Sequence, residues 1–122
     1  MTTLEVQAGA CGCSAKISVV KVDERHVRVV LESDCEPVMA MNDDLARLQW
    51  KGKGHNVFGP IPESAVYRSA ALHIRHTACP VPSAILKAIE AEVGAAVPKD
   101  VKFTFQARDP KDDVPPVPSP PT

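Results

Sequence analysis

Four cysteines, Cys11, Cys13, Cys35 and Cys79, are the residues whose type and placing point most directly to chemistry in this chain. Cys11 and Cys13 stand two residues apart, so in an extended turn both thiols can face the same side. Cys35 and Cys79 each come just ahead of a stretch with helical patterning. A helix start exposes unpaired N–H groups and a partial positive charge, and both favour the thiolate. Thiolates select zinc, copper(I) or iron–sulfur clusters over magnesium or calcium. Three or four of them, completed by a histidine or a carboxylate, suit tetrahedral zinc or a [2Fe–2S] cluster. No CxxC pair is present, so the zinc-ribbon pattern has no support. The expected ligands are Cys11, Cys13, Cys35 and Cys79. His76, in the run His73-x-x-His76-x-x-Cys79, is the imidazole best placed to join them as ligand or proton carrier.

Plainer readings compete with each of these. A free cysteine often behaves as a small buried hydrophobe, and Cys13 in particular could pack at the start of a strand. His73 reads as a helix-face residue, and His26 and His55 as exposed. Asp34 and Glu36 flank Cys35, where helix capping is the default role and metal ligation the sharper one. A thiol enzyme is a further alternative, with Cys79 or Cys35 as nucleophile and His76 as base. In the third, the cysteines are core and the chain is an interaction module. No Gly-rich phosphate loop, Ser-His-Asp set or spaced carboxylate pair accompanies them.

The elements that must position these groups follow from periodicity. Leu4, Val6 and Ala8 alternate with polar neighbours as in a half-buried strand, and Gly9 and Gly12 place Cys11 in a turn. Residues 16–22 and 26–32 read as a β-hairpin about Asp23-Glu24-Arg25, with Val27, Val29 and Leu31 on one face. Ser33 and Asp34 are good caps for a helix over 36–48, where Val38, Met41, Leu45 and Leu48 recur at helical spacing and Pro37 fits the first turn. Residues 49–61 read as a Gly-rich loop. A second helix opens at Pro62 or Ser64 and runs to about His73. A third covers 81–93, with Leu86, Ile89 and Val93 as its stripe and Gly94 as its C-cap. Val101, Phe103, Phe105 and Ala107 alternate as a last strand. The order β-β-β-α-α-α-β predicts an α+β fold, a mainly antiparallel sheet with helices on one face.

Length and composition set the frame. At 122 residues the chain suits one domain, expected over residues 1–108, and can bury a core without a structural metal. Residues 109–122 hold six prolines and few apolar residues, as a polyproline-like disordered tail does; an SH3-type ligand role is the minor reading. A formal charge of -1 gives no reason to expect nucleic acid or an anionic membrane as partner. The one basic cluster, Lys51, Lys53 and His55, reads as a solvated loop. No segment reaches the ~18 apolar residues of a membrane helix, and the N-terminus lacks the pattern of a secretory signal. The expected compartment is the cytoplasm, where thiols stay reduced and favour metal chemistry over disulfides.

Two resemblances add to this. The strings Ala10-Cys11-Gly12-Cys13, Ser33-Asp34-Cys35-Glu36-Pro37-Val38 and Thr77-Ala78-Cys79-Pro80-Val81-Pro82 resemble motifs of a family of short, uncharacterised prokaryotic proteins, over about residues 4–106. The order of the cysteines is also similar to that in the U-type iron–sulfur cluster scaffold proteins. Those carry one cysteine in a turn ahead of a strand like Lys16–Val20. A second lies between strand and helix, as Cys35 does, and a stretch like Trp50-Lys51-Gly52-Lys53 follows. Their third opens an Ala- and Leu-rich helix, as Cys79 does. This resemblance implies a scaffold-like fold and an iron–sulfur cluster held by Cys11, Cys35 and Cys79. It also implies a protein partner that receives cluster or sulfur, and a carrier more than an enzyme. Cys13 stands where the scaffolds have Asp, which implies a fourth thiolate and a more stable site. Ala78 stands where they have His, with His76 nearby, and the strand over Val101–Ala107 lies outside their pattern.

Overall fold

A computed structural model of the chain describes residues 1–107, so the Pro-rich stretch from 109 onward lies outside the described residues. Four strands, β1 (Thr2–Gln7), β2 (Ser14–Lys21), β3 (His26–Ser33) and β4 (Leu48–Gln49), form one antiparallel sheet in the order β1-β2-β3-β4. Alternation drives it: Val6, Ala15, Ile17, Val19, Val27, Val29 and Leu31 are buried on one face. The other face is open to solvent, and a row of Glu32, Lys16 and Glu5 crosses it in register. The hairpin turn is held by Asp23, whose Oδ1 accepts the N–H groups of Arg25 and His26 at 2.8 and 2.9 Å.

Three helices cover the buried face: α1 (Glu36–Met39), α2 (Ala65–His73) and α3 (Val81–Glu92). The class is thus the expected α+β. α3 lies over β1 and β2. Its inward stripe is Val81, Ile85, Ala88 and Ile89, while Leu86 and Val93, expected to lead it, are only partly buried. Gly94 closes α3 at φ 78°, a left-handed conformation that suits glycine. Glu92 ties the end of α3 to the sheet. Its carboxylate accepts from Thr2 Oγ1 at 2.8 Å and from the Lys21 N–H at 3.0 Å, and it faces the N-terminal ammonium at 3.6 Å. Partial burial works against that charge, yet the hydrogen bonds and the ammonium hold the carboxyl below its ordinary range.

Two expected elements come out differently. The helix over 36–48 is a single turn, and the chain then runs through turns into β4. The cause is the outer edge of β3. Asn42 Oδ1 accepts the Leu31 N–H at 2.8 Å, its Nδ2 donates to the Leu31 carbonyl at 3.0 Å, and the Leu45 carbonyl accepts the Val29 N–H at 3.0 Å. A longer helix would leave those strand groups unpaired, and Asn42-Asp43-Asp44 is poor helix sequence. Val38, Met41, Leu45 and Leu48 are all buried nonetheless. The last strand, expected over Val101–Ala107, is not in the sheet: that segment is unpaired and exposed. The fourth strand is Leu48–Gln49, where the end of the expected helix meets the start of the expected loop.

Candidate metal centre

The cleft that holds the thiols is built by three separate segments. The first is the turn from β1 to β2. The Ala8 N–H donates to the Cys13 carbonyl at 3.0 Å and the Gly12 N–H to the Gly9 carbonyl at 2.9 Å, with Gly9 and Gly12 at φ 85° and 74°. Those positive angles suit glycine and turn the backbone so that Cys11 projects from the tip, exposed, while Cys13 is half-buried below it. The second segment joins β3 to α1. Here Cys35 is the N-cap residue, half-buried against the core, and the Ser33 hydroxyl accepts its N–H at 3.0 Å. The third lies between α2 and α3. The Cys79 N–H donates to the His76 carbonyl at 3.0 Å, so the two residues close one turn.

All four cysteines and His76 line a single cleft of about 290 Å³, together with Ser14, Ser33, Arg75 and an apolar wall that includes Ala15, Val38, Ile74 and Val81. Cys79 and His76 also line an adjoining apolar groove with Tyr67 and Arg68. Burial against the wall, a hydrogen bond with the Cys11 sulfur and the neighbouring Cys11, Cys35 and Asp34 groups push the Cys13 thiol up to about 11. A thiol raised by neighbouring thiols in this way sits among donors suited to a cation, whose charge reverses the effect. The spacing is looser than the chemistry. Among the described residues, no three His, Cys, Asp or Glu side chains are already gathered around one ion position. The donor types fit zinc or a cluster.

Some expected roles shift. Asp34 does not cap a helix: its Oδ1 accepts the Ser14 N–H at 3.1 Å. With only four residues, α1 has too little dipole to stabilise a Cys35 thiolate strongly. His73 turns away from the cleft and bonds Asp44 Oδ2 through Nε2 at 3.0 Å. His26, expected exposed, is partly buried and bonds Asp23 at 2.9 Å, while His55 is exposed. The Lys51–His55 loop is exposed as expected, with the Lys51 and Lys21 ammonium groups each 5.8 Å from the Trp50 ring centre. Ser14, Ser33 and Arg75 are cleft residues that sequence reading missed. Their adjacency to Cys13, Asp34 and His76 was the signal.

No described helix is long and apolar enough to cross a membrane. The chain belongs to a family of unknown function, DUF6951, whose family model matches residues 2–105, taking in the whole sheet, the helices and the alternating segment to Phe105. Comparison with curated proteins and with solved structures gave no match.

Proposed function

We propose that the cleft binds a thiophilic metal, as zinc or as an iron–sulfur cluster, and that the protein carries it to a partner protein in a reducing compartment. One observation carries this reading: four cysteines from three separate segments line one cleft, with a histidine beside them. Cys11, Cys35 and Cys79 are the primary ligands, Cys13 is the fourth, and His76 can replace a thiolate. The bound metal keeps the ligands as thiolates and offsets their mutual repulsion. Arg75 lines the same cleft and supplies a positive charge suited to an anionic cluster. The likeness of the cysteine order to the U-type scaffold proteins supports the cluster form over plain zinc. The exposed Cys11 tip and the adjoining apolar groove beside Cys79 suit hand-over to another protein.

The reading requires the thiols lining the cleft to draw in around the ion, because no three ligand-type side chains are gathered there among the described residues. The chain is purified without oxygen and offered iron with sulfide, or zinc. Metal analysis then gives stoichiometric binding, and Cys11→Ser, Cys35→Ser and Cys79→Ser each weaken it while the fold persists, more so when His76→Ala removes the replacement ligand. A chain that takes up neither zinc nor iron and sulfide overturns the proposal.

A further inference from the structure

Residues 101–107 carry a strand pattern but pair with no strand among the described residues. Val101, Phe103 and Phe105 alternate with Lys102, Thr104 and Gln106, yet the three apolar side chains are 60%, 80% and 101% exposed. The segment makes no backbone hydrogen bond to another described residue. Two aromatic rings held in water are a cost that an apolar face nearby would remove. The sheet meanwhile ends in an open edge. Among the described residues β1 pairs only with β2, and its sequence, Thr2-Thr3-Leu4-Glu5-Val6-Gln7, holds none of the prolines or lysines that usually blunt an edge. Its inward side chains are incompletely covered: Leu4 is only partly buried, where Ile17 and Val19 beside it on β2 are fully buried.

We infer that residues 101–107 of a second copy of this chain add antiparallel to the open edge of β1, reciprocally, giving a two-fold dimer whose sheet is continued by an exchanged strand. Charge sets the register. The row Glu32–Lys16–Glu5 alternates in sign across the open face and stops on a carboxylate at the edge. Lys102 opposite Glu5 continues the alternation. The same register sets Val101 opposite Val6, Phe103 opposite Leu4 and Phe105 opposite Thr2, so every apolar residue falls on the buried side. A one-residue slip would turn all of them to solvent. The occupant is a second copy because the chain does not return to its own edge. Glu92 anchors the end of α3 beside Thr2, and residues 95–107 then leave exposed throughout. Two free segments and two open edges satisfy each other under a two-fold axis.

Sedimentation of the full-length chain tests this without reference to metal. The native chain sediments as a dimer, and hydrogen exchange shows protected amides across residues 101–107. Phe103→Asp, at a position exposed within the single chain, raises the dimer dissociation constant at least about tenfold. Glu5→Lys weakens the dimer, and Lys102→Glu in the same chain restores it. A monomer at all concentrations overturns the inference. So does a dimer indifferent to Phe103→Asp, or a monomer whose 101–107 amides are protected, which would place the segment on its own β1.

Discussion

The Asp34 carboxylate accepts the Ser14 backbone N–H at 3.1 Å, which ties the residue after Cys13 to the residue before Cys35. Ser33 reinforces the tie. Its hydroxyl donates to the Ser14 carbonyl at 2.7 Å and accepts the Cys35 N–H at 3.0 Å. The separation of Cys13 and Cys35 is thereby tied to the ends of two paired strands.

Ser33→Ala removes both bonds and tests whether that tie matters. The fold persists at a cost of about 1 kcal/mol, because the site is partly open to water. Metal affinity falls about tenfold, as is usual when groups that orient ligands are lost. Chelator competition on loaded protein gives the affinity and urea unfolding the stability. An unchanged affinity would show that the ligand spacing is set elsewhere.

Asp44 offers a pH test remote from the cleft. Its Oδ2 accepts the Ser69 hydroxyl at 2.7 Å and the His73 ring at 3.0 Å, joining α2 to the turns after α1. These bonds hold the carboxyl below its ordinary 3.8. A lowered folded pKa means stability that is present above pH 3.8 and lost as pH falls through the folded value. Asp44→Asn therefore costs about 1 kcal/mol at pH 7, and the urea midpoints of variant and native chain converge in acid.

Much of the fold was legible because alternation and burial follow from the same pleat. The hairpin, α2 and α3 sit within a few residues of their expected places. What sequence could not show was competition for hydrogen bonds. The spacing of Val38, Met41, Leu45 and Leu48 is helical, and burial honours it, but the free N–H groups of Val29 and Leu31 claim the backbone and side chain between them. Alternation over 101–107 likewise announces a strand without saying which chain supplies its neighbour. At the site, residue type and turn chemistry located all four cysteines and His76 on one cleft. Their spacing depends on long-range ties such as Asp34 to Ser14, which no local pattern reveals.

Leu45 checks the first of those points. It is fully buried although it lies in no helix or strand. Leu45→Ala should cost 2–5 kcal/mol, the range for a core cavity, against a few tenths for an exposed loop leucine. Denaturant unfolding at constant m-value measures it, and a small loss would place the segment outside the core.

The thiols themselves give the sharpest test of the cleft without metal. Cys13, raised from 9.0 to about 11, holds about a hundredth of the thiolate of an ordinary cysteine at pH 7.5. Its higher basicity makes each thiolate a better nucleophile and recovers part of the loss, which leaves alkylation about tenfold slower. Mass spectrometry after timed iodoacetamide treatment should show Cys13 lagging the exposed Cys11, and the lag should shrink as pH rises toward 11. The raised folded value also means that the contribution of this group to stability is present below pH 9.0 and lost as pH passes through about 11. Cys11→Ser removes the sulfur that bonds Cys13 and one of the charges raising it, so Cys13 alkylation should then accelerate. Zinc or cluster loading should instead protect Cys11, Cys13, Cys35 and Cys79 together. Protection of one cysteine alone, or a single fast cysteine indifferent to metal, would turn the reading toward a nucleophilic thiol with His76 as its base.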